Sequence, residues 1–294
     1  MNPLVFFTQD ISSQGLMRIY SAMKSYLVDE SFPHGKVGVK LSTGENKSNY
    51  LRPYLIQDLV SAVDGTIVEC NTAYEGPRHQ SDTHYELARS HGFTDIAPFD
   101  IQDSLGETIL PITDGKNLRR NIVGKTFKDY DYYLVLSHFK GHQMAGFGGA
   151  LKNISIGMAS ANGKVNIHTA GKGGDIFSGE QIPFIESMAE AAKSVVNTMQ
   201  GNMLYINVLN RISIDCDCNF NPAEPEIADI GILASFDPVA IDKASIDLII
   251  SAEGNESLLR RIDDQQGLYI LDYAQKLGVG QKNYDRVDID ISDI

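Results

Sequence analysis

Histidines, glycines and a lysine are concentrated in one stretch of the 294-residue sequence, between Tyr132 and His168. An apolar segment leads into His138 and His142. Two imidazoles at this spacing suit proton transfer or metal ligation, because imidazole titrates near neutral pH. Gly141 lies between them and argues against a regular helix, so two surface histidines near a turn are the alternative. We predict that His138 and His142 are catalytic.

A glycine-rich turn and a lysine follow these histidines. Gly146, Gly148 and Gly149 precede the apolar segment that holds Lys152 and Asn153. Glycines let main-chain N–H groups approach an anion, and the start of a helix adds a favourable dipole. We predict that these five residues bind a phosphate-bearing cofactor or an anionic substrate, and that Lys152 also takes part in catalysis. The alternatives are tight packing at the glycines and a lysine stem that lies along the surface.

Two cysteines later in the chain offer soft ligands. Cys216 and Cys218 lie in an Asp-Cys-Asp-Cys sequence that follows a strand-like segment. Thiols at this spacing can bind a soft metal together with other ligands. Since a closed metal site needs about four ligands, the pair alone is incomplete. The alternative is a loop with two small buried thiols.

The order of the predicted elements indicates how these residues come together. Apolar strands at 4–8, 36–41 and 66–70 alternate with helices at 12–28, 55–63 and 83–91. This order favours a parallel sheet with right-handed crossovers. Ligands of such sheets lie beyond the carboxyl ends of the strands, so the loops 42–49, 71–82 and 138–149 should face one crevice. Further strands are expected at 109–112, 121–123, 131–137, 203–209, 212–214, 230–234 and 287–291, and further helices at 183–200, 237–250 and 265–276.

We predict an α/β fold with two α/β lobes, whose largely parallel sheets surround a central cleft. The chain is 43% hydrophobic and long enough for one large or two medium domains. The lobe boundary is expected between residues 124 and 131. Residues 1–130 then form an N-terminal lobe, and residues 131–294 form a C-terminal lobe that carries the glycine-rich turn, the histidines, the lysine and the Cys-Asp-Cys loop.

Composition excludes several classes of partner. The chain has 25 Lys and Arg against 38 Asp and Glu, a net charge of −13, and no basic run longer than two residues. Nucleic acid needs a basic face, so it is not an expected partner. There is no apolar window of membrane-spanning length and no basic N-terminal region of a signal peptide, so we expect a cytoplasmic protein with no membrane partner. Its three cysteines should be reduced. A homo-oligomer is left open.

Several segments together resemble the domain-of-unknown-function 362 family over nearly the whole chain. They are Thr83–Phe93, Gly146–Ile154, Gly163-Lys164, His168, 215–218 and 234–242. Longer members of that family carry a ferredoxin-like insert with four cysteines after the equivalent of His168. Here the 13 residues 169–181 contain no cysteine. The resemblance implies an uncharacterised relative of iron–sulfur proteins that has no ferredoxin-type cluster, and it leaves a separate electron-transfer protein open as a partner.

A more distant resemblance is to the nickel-pincer lactate racemase family. It rests on His142, the Gly148-Gly149 pair, Lys152, Gly157 and His168, with ten positions from His142 to Lys152 and sixteen from Lys152 to His168. The resemblance implies that Lys152 tethers a pyridinium-derived pincer nucleotide and that His168 ligates nickel. It also implies that His142 is an acid/base in the hydride-shuttling racemisation of a 2-hydroxy acid.

These observations predict an enzyme whose cleft binds a metal or a phosphate-bearing cofactor and acts on a small anionic molecule. The enzyme class considered is a metal- or organometal-dependent isomerase or oxidoreductase. The metal ligands would be His168, Cys216 and Cys218, with nickel, zinc and iron left open as the metal. Two alternatives stay open: a metal or iron–sulfur redox protein that uses the Cys-Asp-Cys loop, and a non-catalytic ligand-binding protein.

Overall fold

An eight-stranded sheet forms the centre of the protein. The computed structural model describes residues 1–26, 33 and 35–291. The strands in that part of the chain are β1 (Leu4–Thr8), β2 (Val37–Lys40), β3 (Thr66–Glu69), β4 (Phe99–Ile101), β5 (Glu107–Pro111), β6 (Arg120–Gly124), β7 (Tyr132–His138), β8 (Lys140–His142), β9 (Gly146–Gly148), β10 (Met203–Leu209), β11 (Gly231–Ser235) and β12 (Asp285–Asp288). The large sheet has the order β12-β1-β11-β10-β7-β2-β3-β4, while β5 with β6 and β8 with β9 form two hairpins.

Helices cover both faces of this sheet. They are α1 (Ser13–Tyr26), α2 (Pro53–Ala62), α3 (Ser81–Ser90), α4 (Phe93–Ile96), α5 (Ala150–Lys152), α6 (Ala161–His168), α7 (Gln181–Met199), α8 (Pro238–Ile250), α9 (Glu256–Asp264) and α10 (Tyr269–Lys276). A π-helical turn, Asn153–Gly157, follows α5 directly. Within the described ranges, no helix combines the length and the apolar character that a membrane crossing requires.

The predicted α/β class and the largely parallel sheet are confirmed. Each pair of neighbouring strands in the large sheet is parallel except the two pairs that β11 makes. β7 is buried on both faces: Tyr133 and Val135 pack in one core cluster, and Leu134 and Leu136 pack in the other. On a strand covered on both sides, a polar side chain would be buried on either face, which explains the continuous apolar sequence of β7.

The large sheet crosses the predicted lobe boundary. β7 begins the predicted C-terminal lobe, yet it pairs in parallel with β2 of the predicted N-terminal lobe, with Val39 opposite Leu134. The assignment of residues 1–130 and 131–294 to separate domains stays a prediction, and the hydrogen bonding of the sheet does not follow it.

Two predicted elements differ from the structure, and some observed elements were not predicted. Residues 212–214 form a loop rather than a strand, because their main chain makes one hydrogen bond to β8, from Gly141 N to Ser213 O at 2.8 Å, before the chain turns. The helix predicted at 265–276 begins only at Tyr269, since Gln266 has a left-handed φ of 51°. The sequence pattern does not predict α9, whose fully buried side chains are only Leu258 and Ile262. The end predicted for the first helix, residues 27–28, lies outside the described residues.

The sheet order changes direction between β2 and β7. From β2 the chain adds β3 and β4 on one side, and from β7 it adds β10 on the other. The carboxyl ends of β2 and β7 are therefore neighbours at a topological switch point, where open α/β sheets bind ligands. The Asn153 side chain fixes this end of β7, because its Nδ2 donates to Leu136 O at 3.0 Å and to Ser137 Oγ at 3.1 Å.

A buried carboxylate anchors the start of α5. Asp242 on α8 accepts from Ala150 N at 2.7 Å, from Leu151 N at 2.9 Å and from Asn207 Nδ2 at 2.8 Å. Burial raises the pKa of Asp242 to about 6, so the group is ionised at pH 7 and can accept from all three donors. A Cβ on Gly149 would lie 2.3 Å from Asp242 Oδ1, so this position requires glycine for packing.

Replacing Asp242 with alanine should destabilise the fold strongly. The substitution leaves two main-chain N–H groups buried without an acceptor and removes one acceptor of the Asn207 amide, which keeps Ser245 Oγ at 3.0 Å. This should lower the free energy of unfolding by about 3 kcal/mol or more. Urea denaturation measures this loss. Asp264→Ala removes an exposed carboxylate near the end of α9 and should change stability by less than about 0.5 kcal/mol. Equal effects of the two substitutions would contradict the anchoring role.

Candidate functional site

A cavity of about 510 Å³ lies beyond the carboxyl ends of β2, β3 and β7. Its wall carries an unusual concentration of cationic, imidazole and thiol side chains: Lys40, Cys70, Arg78, His138, Lys140, His142, Lys152, Lys164, His168, Cys216 and Cys218. Residues of all three predicted loops contribute to the lining, among them Ser42, Thr72 and Gln143. The expected central crevice is therefore present at the carboxyl edge of the sheet.

The structure brings all but one of the predicted site residues to this cavity. The lining includes His138, His142, Gly148, Gly149, Lys152, Asn153, His168, Cys216 and Cys218. Gly146 is outside the lining. It has a left-handed φ of 79° and packs so closely on Gly267 that a Cβ would lie 3.0 Å from the Gly267 Cα. The roles assigned to these residues stay predictions.

The glycine-rich turn offers fewer free main-chain donors than its sequence indicates. Gly146 and Gly148 belong to β9, which pairs with β8 in a hairpin. The N–H groups of Ala150 and Leu151, at the start of α5, both donate to the Asp242 carboxylate. An anion bound next to this turn therefore has to be held mainly by side chains.

His138 is engaged at both ring nitrogens. Nδ1 lies 3.0 Å from Asp217 Oδ1, and Nε2 lies 2.7 Å from the main-chain oxygen of Asn210. Lys140 Nζ lies 2.8 Å from the same Asp217 carboxylate. Burial alone would raise the pKa of Asp217, but the charges of His138 and Lys140 outweigh it and lower this pKa to about 2. This arrangement favours a positioning role for His138, since both neighbours accept hydrogen bonds from the ring.

His142 has a defined tautomer. Its Nδ1 accepts from Met144 N at 3.2 Å and from Ala145 N at 3.0 Å. Burial, followed by the charge of Lys152, lowers the pKa of His142, so the ring is neutral at pH 7. A neutral imidazole whose Nδ1 accepts must carry its proton on Nε2. His142 also hydrogen-bonds Cys216, and in this tautomer the sulfur is the acceptor.

Several donors converge on the Cys216 sulfur. Lys152 Nζ lies 3.9 Å away, Cys218 N lies 3.4 Å away, and the Cys218 thiol and His142 also hydrogen-bond it. The hydrogen bond from Cys218 leads the effects that hold the pKa of Cys216 well below that of an ordinary thiol, with Lys152 and His142 adding to it against burial. The same contact raises the pKa of Cys218. These contacts favour the negative charge on Cys216 and the proton on Cys218.

The donor set is only partly suited to a metal. Among the described residues, the ligand atoms of His142, Cys216 and Cys218 lie within 4.8 Å of one another, whereas His168 belongs to no such group. A metal-ligating histidine normally donates a hydrogen bond from its other nitrogen. His142 does the reverse, because its Nδ1 accepts two main-chain N–H groups. A metal at Nε2 would have to displace the only ring proton.

His168 has the opposite hydrogen-bonding pattern. Its Nδ1 donates to Lys164 O at 2.7 Å, which leaves the lone pair on Nε2. Burial lowers the pKa of His168 to about 4, so the ring is neutral at pH 7. His168 thus has the tautomer of a ligating or proton-accepting histidine, but the predicted set of His168, Cys216 and Cys218 is not brought together as one cluster. The structure places His142 beside the thiols instead.

Three buried lysines of the cavity were not predicted as site residues: Lys40, Lys164, and Lys140, which pairs with Asp217. Lys40 is the last residue of β2 and is 1% exposed, and Lys164 on α6 is 8% exposed. A lysine at the end of the apolar segment Val37-Gly-Val-Lys-Leu41 is the signal that could have identified the first. Lys164 stands next to Gly163 in a motif that carried the family resemblance. Its burial depends on tertiary packing that the sequence does not display.

Among the described residues, no carboxylate makes an ion pair with three of the cavity lysines, Lys40, Lys152 and Lys164. The ammonium group of Lys40 donates to Leu41 O at 2.6 Å, and that of Lys164 donates to Ala159 O at 2.5 Å. The Lys152 ammonium lies 3.9 Å from Cys216 Sγ. By contrast, Arg78 is paired with the carboxylates of Glu45 and Glu69.

The chain belongs to the family described as a domain of unknown function (DUF362), whose sequence model matches residues 37–247. No curated protein matches the sequence. Among solved structures, the lactate racemase apoprotein from Thermoanaerobacterium thermosaccharolyticum is similar with 14% identity and a TM-score of 0.48, over 83% of this chain and 56% of that one. A protein from Thermotoga maritima is similar with 12% identity and a TM-score of 0.44, over 90% of this chain and 59% of that one. This chain thus spans less than two thirds of the length of either.

The Cys216 thiolate should be detectable by alkylation with iodoacetamide in chelator-treated protein. Because its pKa is lowered, the alkylation rate should fall far less between pH 8 and pH 6 than the roughly 80-fold expected of an ordinary thiol. Peptide mass spectrometry distinguishes Cys216 from Cys70 and Cys218. Lys152→Met should restore a steeper pH dependence, and Lys24→Met, at an exposed position, should not. A tenfold rate increase per pH unit in the unsubstituted protein would refute the thiolate.

Proposed function

We propose that this protein is an enzyme that binds a small anionic molecule in the cavity and transforms it where Cys216, His142 and Lys152 meet. The observation that carries the proposal is a group of cavity lysines with no carboxylate partner in the described part of the chain: Lys40, Lys152 and Lys164. A buried charge is costly unless an opposite charge and hydrogen bonds compensate it. An anionic ligand would supply both.

The side chains at the Cys216 end support proton transfer or nucleophilic attack. Cys216 offers a thiolate, His142 offers an N–H donor and His168 offers a neutral nitrogen with a lone pair. A base and a donor on either side of a bound molecule can remove and return a proton, and a thiolate can add to an electron-poor carbon. An isomerase or oxidoreductase reaction on an anionic substrate is compatible with these groups.

Small anions should stabilise the protein, and some should react. At constant ionic strength, a bound carboxylate or phosphate should raise Tm by about 2–5 °C at concentrations well above its Kd, while neutral analogues of the same size should not. Incubation of the stabilising anions in D2O, followed by proton NMR, then reports proton transfer as deuterium incorporation.

Two substitutions separate binding from chemistry in that experiment. His142→Gln and Cys216→Ser should keep the thermal shift but lose most of the deuterium incorporation. Stabilisation without turnover by any anion would favour a non-catalytic ligand-binding protein instead. Absence of stabilisation by every anion would refute the proposal as a whole.

A metal-binding protein is the second candidate, and the cluster of His142, Cys216 and Cys218 favours it. Three donors with one open position is the arrangement of catalytic rather than structural zinc sites. The hydrogen bonds that Nδ1 of His142 accepts oppose it. The resemblance to nickel-pincer enzymes adds a further proposal, in which Lys152 carries a tethered organic group and His168 binds the metal.

Elemental analysis and intact mass of anaerobically purified protein test both metal proposals. If the thiols bind the metal, Cys216→Ser and Cys218→Ser should each lose most of it while His168→Gln keeps it. If His168 is the ligand, the pattern should be reversed. A mass excess that maps to Lys152 would support the tethered group. Metal-free protein of unmodified mass would refute both proposals for the protein as purified.

A further inference from the structure

We propose that Lys40 and Lys164 form a subsite for a doubly charged oxyanion, the phosphate group of a phosphate monoester. The inference rests on the proposed function, because it names the part of the anionic ligand that these lysines would hold. It also assigns different tasks to the cavity lysines. Lys152 faces the Cys216 sulfur at 3.9 Å, whereas within the described residues Lys40 and Lys164 hydrogen-bond only main-chain oxygens.

Lys40 is held in place with room for a ligand beside it. It ends β2 at the topological switch point, and its Nζ donates to Leu41 O at 2.6 Å. Gly157, the last residue of the π-helical turn, leaves space next to it, since a Cβ there would lie 3.1 Å from Lys40 Nζ. π-helical turns are rare and frequently mark functional sites. The glycine and the unusual turn together keep the wall of the cavity open at this ammonium group.

Lys164 reaches the same region from α6. Its Nζ donates to Ala159 O at 2.5 Å, just ahead of the helix, and its side chain lines the cavity. Residues 157–159 bring these groups together: Gly157 lies beside Lys40 Nζ, the oxygen of Met158 accepts from Cys70, and the oxygen of Ala159 accepts from Lys164. Burial, followed by Asp103, raises the pKa of Cys70 to about 12, and its Sγ donates to Met158 O at 3.5 Å. Cys70 is thus a neutral thiol and balances neither lysine.

The nearby carboxylates, those of Glu69 and Asp103, already accept hydrogen bonds from other groups. Glu69 accepts from Arg78 Nη1 at 3.0 Å, and its other oxygen faces His84 Nε2 at 3.0 Å and accepts from Thr43. Asp103 accepts from two main-chain N–H groups, those of Asn71 at 2.9 Å and Ala161 at 3.0 Å. Both carboxylates act on the lysines at a distance, but neither makes an ion pair with Lys40 or Lys164 within the described residues.

The number of remaining donors favours phosphate over carboxylate. An ammonium group has three N–H donors, and each lysine uses one on a main-chain oxygen. Four donors and two positive charges therefore remain. A phosphate monoester offers three terminal oxygens and close to two negative charges, while a carboxylate offers two oxygens and one charge. The glycine-rich turn does not compete for this anion, because Asp242 occupies the N–H groups at the start of α5.

Titration calorimetry of the full chain with inorganic phosphate tests the subsite, with acetate and succinate as the carboxylate probes. Phosphate should bind more tightly than either. Lys40→Met and Lys164→Met, which keep the length of the buried side chain, should each raise the Kd for phosphate at least tenfold. Lys152→Met should raise it less than threefold, and Lys24→Met, at an exposed position, should leave it unchanged.

Chemical footprinting of the unsubstituted protein keeps the test valid if a variant fails to fold. Phosphate should protect Lys40 and Lys164 from acetylation by acetic anhydride and leave Lys152 reactive, as read by peptide mass spectrometry. Succinate binding as tightly as phosphate would overturn the assignment of a phosphate group. Phosphate binding that depends on Lys152 alone would overturn the subsite and leave the proposed function standing, whereas failure of all anions to bind would overturn both.

Discussion

The structure depends on placing charged groups at the ends of strands that are otherwise buried on both faces. β2 and β7 lie side by side in the middle of the sheet, so whatever follows their last apolar residue is also shielded from water. Lys40 and His138 occupy these two positions. Burial penalises a charge severely, and Lys40 shows the effect directly, because burial lowers its pKa to about 8. Residues of the loops around the cavity offset this penalty with hydrogen bonds and ion pairs.

Only some of the buried charges around the cavity are compensated by an ion pair. This difference separates residues that stabilise the fold from residues that could bind a ligand. Asp217 serves His138 and Lys140 together, and Glu69 serves Arg78 and His84. Buried ion pairs contribute little net stability, although removing one partner is strongly destabilising. These pairs therefore fix the loops to the sheet rather than bind a ligand. Lys40, Lys164 and the Cys216 sulfur make no ion pair with a described carboxylate or arginine. Their charges and remaining hydrogen-bonding positions can therefore contact a ligand.

The sequence predicts the framework better than the chemistry. Period and composition locate β1, β7, β10 and the helix that Asp237 and Pro238 begin, because those signals are local. Element order then brings loops 42–49, 71–82 and 138–149 to one crevice. The function of the glycine-rich turn could not be predicted in this way. The N–H groups of Ala150 and Leu151, which follow the turn, are occupied by Asp242, 92 residues away from Ala150 in the chain. Only the packing of α8 against α5 reveals that contact.

The direction of a hydrogen bond is also not predictable from the type of a residue. His142 and His168 are the same residue at similar burial, yet one accepts main-chain N–H groups at Nδ1 and the other donates from Nδ1 to a main-chain oxygen. In these tautomers Nε2 of His142 carries a proton, whereas Nε2 of His168 carries a lone pair. His142 beside Cys216 therefore stabilises negative charge on the sulfur, and a metal bound there would compete with that proton. The thiolate and the metal site are thus alternative uses of one sulfur, and the fold as it stands has its hydrogen bonds arranged for the thiolate.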